Sequence, residues 1–162
     1  MLHLQGISCS PKEGHSAGRG LLRVMYEAHT GKPMPSIARG TRGKPYFPES
    51  DLHFSISHTR SHVFCALSDK PIGIDAEPLD RKINLLLAEK ILSPSERNQY
   101  DAAVDKRMAL LTFWVLKEAH AKCTGEGLRG YPNRTAFSLD DPRVFQKDGC
   151  LIAVIEEDDH AL

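Results

Sequence analysis

The sequence predicts a mixed fold in which strands come first, helices follow in the second half, and strands return at the end. Residues 52–56 and 72–76 alternate apolar with polar or small side chains, at the period of two that is typical of strands. Residues 21–26 instead carry apolar side chains at helical spacing. Ser93–Glu96 reads SPSE, the form of a capping box at the start of a helix. A chain of 162 residues is enough for one domain or for two small lobes sharing a core.

The first half of the chain is predicted to contain four strands and one helix. In order, these are a strand over 2–9, a helix over 14–30 ended by Gly31, a Gly- and Pro-rich loop over 32–51, and strands over 52–58, 62–68 and 71–77. The strands over 52–58 and 62–68 are close enough in sequence to form a hairpin. The loop carries Lys32, Arg39, Arg42 and Lys44. These cations favour either an anion-binding loop or an ordinary solvated one.

The second half is predicted to be helical before it ends in short strands. Apolar spacing indicates a helix over 81–92, and Pro94 takes the favoured first position of the next helix. Asp105 is suited to cap a third helix, which the TGEG segment at 124–127 ends. The final strands are predicted over 134–139, 143–146 and 150–157, with a turn at residues 147–149.

Composition and charge exclude several classes of function. The formal net charge is zero and the isoelectric point is near 7.1, so no overall field would attract nucleic acid or an anionic membrane. No apolar run approaches the length of a membrane span, and no signal peptide is evident. The four cysteines form no CxxC pair, and the eight histidines form no HExxH motif. We therefore expect a cytoplasmic protein without a zinc site, a membrane span or a nucleic-acid partner.

Asp75 and Glu77 are the first candidate site residues. They lie two positions apart in a predicted strand, so both side chains project from the same face. Two neighbouring carboxylates repel each other unless water or a cation compensates. An exposed, solvated strand end is one interpretation. The alternative is a hard cation such as Mg²⁺, which takes oxygen ligands.

A second set of candidates lies on the predicted helix that begins after Asp105. Trp114, Glu118 and Lys122 are spaced four residues apart, so they line one helix face. An ordinary surface pair of Glu118 and Lys122, worth about 0.3–0.5 kcal/mol, explains the spacing equally well. His58, at the end of a strand, is by itself more typical of a structural or exposed histidine.

Taken together, these residues suit chemistry at a phosphate. Three carboxylates offer ligands for a divalent cation, and one of them could take a proton from a hydroxyl. The nearby cations could neutralise phosphates, and positioning and charge neutralisation account for most catalysis of phosphoryl transfer. The sequence contains no Walker loop and no GxGxxG motif after a strand, which excludes nucleotide binding through those loops.

Four short motifs then identify a family by resemblance. They are GKPYF at Gly43–Phe47, FSISHT at Phe54–Thr59, PIGIDAE at Pro71–Glu77 and FWVLKEAHAK at Phe113–Lys122. Their order and spacing resemble the GKP, (F/N)xSH, GxDxE and WxxKEAxxK motifs of 4'-phosphopantetheinyl transferases of the surfactin-synthetase-activating type. The match spans residues 43–122, and GCLIAVIEE near the end is similar to the closing strand of the family.

The resemblance implies an α+β fold of two related lobes in one chain, with the active site in the cleft between them. The chain would form a single domain over 1–162, with lobes at about 1–70 and 71–162. The implied activity transfers the 4'-phosphopantetheine arm of coenzyme A to a serine of an apo acyl or peptidyl carrier protein. Adenosine 3',5'-bisphosphate is released, and Mg²⁺, or alternatively Mn²⁺, is required. The chain is expected to be a monomer, with a dimer as the alternative.

The resemblance also assigns catalytic roles by position. Asp75, Glu77 and Glu118 would hold the metal ion against the coenzyme A pyrophosphate. Glu118 would also activate the serine hydroxyl, directly or through water, and Lys122 would neutralise charge as the bond breaks. Lys117, beside Glu118, and Trp114 are expected to be structural or to support the site indirectly.

Further residues would bind the adenine nucleotide of coenzyme A. Lys44 and Pro45 would flank the nucleotide, and Ser57 and His58 would contact its 3'-phosphate. Members of this family usually carry a longer N-terminal lobe, whereas only 42 residues precede the GKP motif here. The basic residues of that lobe therefore have no unambiguous counterpart. The candidates are Lys12, His15 and Arg19.

Two other functions compete with the transferase interpretation. A relative that binds coenzyme A or carrier proteins without turnover is the first, and the short N-terminal lobe favours it. A metal-dependent nuclease or phosphodiesterase is the second, and the neutral charge and missing basic stripe oppose it. Because Asp75, Glu77, Glu118 and Lys122 are all present, the sequence favours the transferase.

Overall fold

The computed structural model describes residues 1–127 and 135–158. In chain order the elements are β1 (Leu2–Ser8), α1 (Gly14–Thr30), β2 (Ala38–Arg39), β3 (Pro45–Tyr46), β4 (His53–His58), β5 (His62–Ser68), β6 (Ile72–Pro78), a 3-10 turn (Leu85–Leu87), α2 (Ala88–Ile91), α3 (Pro94–Ala102), α4 (Lys106–Thr124), β7 (Val144–Lys147) and β8 (Cys150–Glu156). Helices and strands are both present, which confirms the α+β class. No helix among these residues has both the length and the apolar composition to cross a bilayer.

Within the described residues the longer strands form two antiparallel sheets of three strands each. One sheet has the order β1–β5–β4, with His53 opposite Ser68, and the other has the order β6–β8–β7, with Ile72 opposite Glu156. Helix α1 packs its apolar face, including Leu22, on the first sheet, while α4 packs on β6 and β8. Each sheet is therefore covered by one long helix.

The two sheets meet where β4 lies beside β6, and a shared core fills the space between them. The buried residues of this core include Phe64, Ile74 and Ile152. Strand β6 is the outer strand of its sheet, so one row of its backbone groups has no partner strand. Side chains satisfy these groups: the Ser55 and Ser57 hydroxyls accept from the N–H groups of Ile74 and Ala76 at 3.0 Å each, and the Lys44 and Lys122 ammonium groups donate to the carbonyls of Ile72 at 3.2 Å and Ile74 at 3.0 Å.

Gly73 allows α4 to approach β6 closely. A Cβ atom at this position would lie 1.9 Å from the carbonyl oxygen of Ala119 and 2.5 Å from the backbone nitrogen of Cys123. No side chain fits into that space. Because Gly73 has no side chain, α4 packs closely enough for its polar face to lie directly over the polar face of β6.

The helix boundaries follow the predicted signals. The Ser93 hydroxyl accepts from the amide of Glu96, and the Glu96 carboxylate accepts from the amide of Ser93, which completes the predicted capping box. Asp105 caps α4 by accepting from the amide of Met108. Helices α1 and α4 end at Gly31 and Gly125, which adopt the left-handed conformation.

The structure differs from the predicted elements in three segments. The helix predicted over 81–92 is wrong, because a 3-10 turn and the short α2 replace it and leave Leu86 70% exposed. The loop predicted over 32–51 contains the short paired strands β2 and β3. The predicted strand over 134–139 begins outside the described residues, and no strand forms over 135–139. Two backbone amides of that segment donate instead to side chains of α3.

Candidate functional site

The two sets of polar residues singled out in the sequence lie against each other. The Ile72, Ile74 and Ala76 side chains fill the core between the sheets, so alternation directs Asp75 and Glu77 toward α4. There the Lys122 ammonium lies 3.3 Å from Oδ1 of Asp75, and the Trp114 indole donates to Oε1 of Glu77 at 3.2 Å. These contacts explain why Asp75 and Glu77 are not an ordinary solvated strand end.

Asp75 is a buried carboxylate with an incomplete set of partners. Only 6% of the residue is exposed. The Ser57 hydroxyl donates to Oδ1 at 3.5 Å, whereas Oδ2 has no hydrogen-bond partner among the described residues. Burial raises the pKa of Asp75 to about 7, and the negative charges of Glu77 and Glu118 add to this effect while Lys122 opposes it.

Glu118 lies half-buried on the same face of α4, one turn before Lys122. Burial raises the pKa of its carboxyl group, Lys122 lowers it, Glu77 raises it and Arg81 lowers it. Glu118 lines a cavity together with Lys122, the residue that contacts Asp75. A carboxyl group with a raised pKa is a stronger base once it is ionised, which suits general base catalysis.

Two adjoining cavities open beside these residues. The larger has a volume of about 800 Å³, and its described lining residues are Pro11, Ile56, Ser57, His58, Thr59, Arg60, Asp75, Ala76, Glu77, Pro78, Asp80, Arg81, Lys82 and Lys122. The smaller, of about 280 Å³, includes Lys44, Pro45 and Glu118 in its lining. Ile56 and Lys122 line both cavities. Lys122 therefore lies at the boundary between the two cavities, where a ligand in either cavity would contact it.

The predicted nucleotide-binding residues are distributed over both cavities. Ser57 and His58 line the larger, and Lys44 and Pro45 line the smaller. The Lys44 ammonium also donates to the carbonyls of Ile72 and Cys123, and burial lowers its pKa. Lys44 thus joins the GKP segment to β6 and to the end of α4.

The candidates near the N-terminus do not line the two cavities. Lys12 and His15 are exposed, and neither is among the described residues that line these two cavities. Two other residues of this segment approach the site: Pro11 lines the larger cavity, and a Cβ atom at Gly14 would lie 2.9 Å from Nδ1 of His58. The start of α1 is thereby packed against His58.

Three cations line the larger cavity without having been predicted from the sequence as site residues, namely Arg60, Arg81 and Lys82. Arg81 is the most closely engaged of them, because its Nη1 atom lies 2.6 Å from Oε1 of Glu77. Strand periodicity ends at Pro78, and a turn with a hydrogen bond from the Arg81 amide to the Pro78 carbonyl brings the chain back. Arg81 follows Glu77 by four residues. Such spacing brings two side chains together in a helix or across a turn, but not along a continuing strand, so the pair could be predicted only if the turn after Pro78 was known.

The carboxylates fit a hard divalent cation by their chemistry. No three His, Cys, Asp or Glu side chains in the described ranges are already arranged to hold a metal ion. Instead, Lys122 and Arg81 neutralise Asp75 and Glu77. The buried, unpartnered Oδ2 atom of Asp75 and an all-oxygen donor set are what Mg²⁺ or Mn²⁺ binds.

Comparison with known proteins agrees with the resemblance. A sequence model described as "4'-phosphopantetheinyl transferase superfamily" matches residues 71–156, just over half of the 162 residues. A 4'-phosphopantetheinyl transferase of Bacillus subtilis is 32% identical over 121 residues, which cover 73% of this chain and 50% of that protein. The transferase AcpT of Escherichia coli O157:H7 is 35% identical over 119 residues, covering 70% of this chain and 58% of AcpT.

The Sfp transferase of Bacillus subtilis strain 168 is 39% identical over 90 residues, covering 53% of this chain and 39% of Sfp. The chain spans about half the length of the curated relatives it matches. The family match includes β6, α4 and β8, the elements that carry or support the facing carboxylates. The chain therefore belongs to the 4'-phosphopantetheinyl transferase superfamily.

Proposed function

We propose that this protein transfers the 4'-phosphopantetheine group of coenzyme A to a serine of an apo acyl or peptidyl carrier protein. The observation that carries the proposal is the contact between two distant motifs. Lys122 of the helix motif reaches Asp75 of the strand motif, at the wall between the two cavities. The names of the matched relatives support the same reaction.

In the proposed reaction, the serine hydroxyl of the carrier attacks the phosphorus atom that bears the pantetheine arm. Glu118 takes the hydroxyl proton, and a phosphodiester bond forms to the serine oxygen. The P–O bond within the pyrophosphate breaks, and its electron pair leaves with adenosine 3',5'-bisphosphate. Lys122 stabilises the negative charge that develops on the leaving phosphate.

Asp75, Glu77 and Glu118 are the residues that would hold Mg²⁺ or Mn²⁺. A bound divalent cation would neutralise the pyrophosphate oxygens of coenzyme A. Asp75 must be ionised to serve as a ligand, so Lys122 assists binding by favouring the charged form of this buried carboxyl group.

The two cavities provide space for coenzyme A. In the proposal, Ser57 and His58 face the 3'-phosphate, and Lys44 and Pro45 flank the adenine nucleotide. Lys12 and His15 are exposed and line neither of the two cavities, which makes them weaker candidates than Arg60 and Lys82 of the larger cavity.

The proposed overall architecture is the one that the family resemblance implies. We propose two related lobes, about 1–70 and 71–162, within a single domain and with the active site in the cleft between them. The presence of one helix-covered sheet in each of these ranges supports the division. The protein is proposed to act as a cytoplasmic monomer, and its zero net charge gives it no general attraction for nucleic acid.

Intact-protein mass spectrometry tests the proposal directly. An apo acyl carrier protein and an apo peptidyl carrier protein are each incubated with this protein, coenzyme A and Mg²⁺, with EDTA as the control. The expected result is a mass gain of one phosphopantetheine that EDTA abolishes. Coenzyme A binding without a mass gain on either carrier would contradict transfer and favour the non-catalytic binding function.

A further inference from the structure

Arg81 makes two contacts that join the strand and helix motifs. Its Nη1 atom lies 2.6 Å from Oε1 of Glu77, and its guanidinium lies 5.3 Å from the centre of the Trp114 ring. The Trp114 indole donates to the same Glu77 oxygen at 3.2 Å. Oε1 of Glu77, a proposed metal ligand, is thus in contact with both the Arg81 guanidinium and the Trp114 indole.

The backbone around Arg81 is held in place, whereas its side chain faces a cavity. Arg107, in the first turn of α4, donates to the carbonyls of Leu79 at 2.7 Å and Arg81 at 3.1 Å. The Arg81 side chain lines the cavity of about 800 Å³ and is 33% exposed. Rotation of the side chain therefore requires no movement of the turn.

Arg81 differs in this respect from Lys122, the cation that contacts Asp75. The Lys122 ammonium also donates to the carbonyl of Ile74 at 3.0 Å, which holds it on β6. The charged group of Arg81 is held by Glu77 and by the ring face of Trp114, and both contacts lie at the cavity wall. Of the two cations, Arg81 is the one that can leave its carboxylate and stay within the site.

We propose that Arg81 is an exchangeable counter-ion of the metal site. It neutralises Glu77 in the metal-free protein, leaves this carboxylate when a divalent cation binds, and turns into the larger cavity to contact the phosphate groups of the substrate. The inference rests on the proposed function, because it takes Glu77 as a metal ligand and a phosphate-bearing substrate as the occupant of the cavity.

Charge and geometry both support the exchange. A divalent cation and a guanidinium compete for the same Glu77 oxygen, because their positive charges repel each other at contact distance. A released guanidinium presents planar, paired donors that match phosphate oxygens. Metal binding would thus prepare the cavity for the anionic substrate, and the substrate would favour metal binding in return.

Tryptophan fluorescence provides a direct test, because Trp114 is the single tryptophan of the chain. The full-length protein is titrated with Mg²⁺ alone, without coenzyme A, while emission is recorded and the heat of binding is measured in parallel by calorimetry. We expect a saturable change in emission with the same midpoint as the calorimetric curve, because Arg81 and the indole contact to Glu77 both change.

Two variants isolate the contribution of Arg81. Arg81→Ala should bind Mg²⁺ about fivefold more tightly, the factor that corresponds to a partly exposed ion pair. The emission change on binding should be smaller than in the wild type, because only the indole contact to Glu77 remains to change. Arg60→Ala is the matched control, because it removes an equal charge from the lining of the same cavity. Its Mg²⁺ affinity should stay within about twofold of the wild type. Arg81→Gln is measured in the same way should Arg81→Ala fail to fold.

The outcomes separate this inference from the proposed function. Calorimetric Mg²⁺ binding with unchanged wild-type emission would overturn the exchange while leaving the metal site intact. Equal Mg²⁺ affinities of the Arg81→Ala and Arg60→Ala proteins would do the same. A lack of Mg²⁺ binding by calorimetry would overturn the metal site of the proposed function, and the inference with it.

Discussion

Lys117 and Glu96 form an ion pair in the interior of the protein, with Nζ 2.8 Å from Oε1 and with side-chain exposures of 1% and 0%. The Glu96 carboxylate also accepts from the amide of Ser93 at 2.8 Å and from the amide of Phe137 at 2.9 Å. One buried carboxylate therefore joins the start of α3, the middle of α4 and the segment that leads to β7. Lys117 precedes Glu118 in the sequence, so this pair holds the helix on which the site is built.

Replacing Lys117 should destabilise the fold strongly. In Lys117→Met the Glu96 carboxylate stays buried without its counter-ion, and the expected loss in the free energy of unfolding is about 3–5 kcal/mol. Urea denaturation followed by circular dichroism measures this loss. Arg97→Met is the control, because it removes the exposed pair with Asp101 and should cost at most about 1 kcal/mol. Equal losses in the two variants would show that the buried pair has no special role.

Gly73→Ala should push α4 away from β6. The added Cβ atom would lie 1.9 Å from the Ala119 carbonyl oxygen, and both atoms belong to packed elements. The free energy of unfolding should fall by about 1–3 kcal/mol or more. Mg²⁺ binding should also weaken, because the carboxylates on β6 and α4 move apart. Gly20→Ala in α1 is the control, because nothing lies within 4 Å of its added atom. Unchanged stability of Gly73→Ala would contradict the close approach.

The stability of the metal-free protein should depend on the ionisation of Asp75. Its pKa is about 7 in the folded chain against a reference value of 3.8, so the folded state binds the proton more tightly than the unfolded state. This contribution to stability is fully present below pH 4 and is lost as the pH rises through about 7. Asp75→Asn carries no such charge. Its melting temperature should exceed that of the wild type by about 2–4 °C at pH 8, the shift given by roughly 1 kcal/mol in a domain of this size.

Melting curves in EDTA at several pH values test the Asp75 prediction. The difference between the two proteins should shrink steadily from pH 8 to pH 4. A difference that does not vary with pH would mean that Asp75 ionises normally, and that burial does not control its charge.

Glu118→Gln should abolish transfer with little effect on the fold. The amide keeps the size of the side chain but cannot take a proton, so the rate of carrier modification should fall by about 100-fold or more. The initial rate is measured by intact mass spectrometry, and the melting temperature is measured alongside. Glu126→Gln, at an exposed position just beyond α4, is the control and should keep the wild-type rate. Normal turnover by Glu118→Gln would exclude Glu118 as the base.

His58→Ala should weaken coenzyme A binding more than it slows transfer at saturation. His58 lines the larger cavity, and a lost hydrogen bond to a charged phosphate corresponds to about a tenfold loss of affinity. The dissociation constant is measured by calorimetry for coenzyme A and for 3'-dephospho-coenzyme A. The loss should disappear for the dephosphorylated ligand. His3→Ala, on the exposed face of β1, should leave both constants unchanged.

The sequence alone determined most of the elements and which candidate site residues share one face of a strand or helix. Alternation in residues 72–76 implied which side chains of β6 enter the core, and SPSE located the start of α3. Helical spacing placed Glu118 and Lys122 on one face. These signals are local: they depend on side chains within one or two turns or pleats, so the sequence carries them without reference to the rest of the fold.

Tertiary structure decided how distant segments complete each other. The carboxylate of Glu96 draws in the amide of Phe137, and no strand forms over 135–139. Ser57 accepts a hydrogen bond from the backbone of β6 and also lines the larger cavity. Arg81 contacts Glu77 only because the chain turns after Pro78. In each case a polar group that packing buries fully or in part needs a hydrogen-bond or charge partner, and the partner comes from whichever segment the fold brings near. Local periodicity in the sequence therefore cannot predict which distant segment supplies the partner.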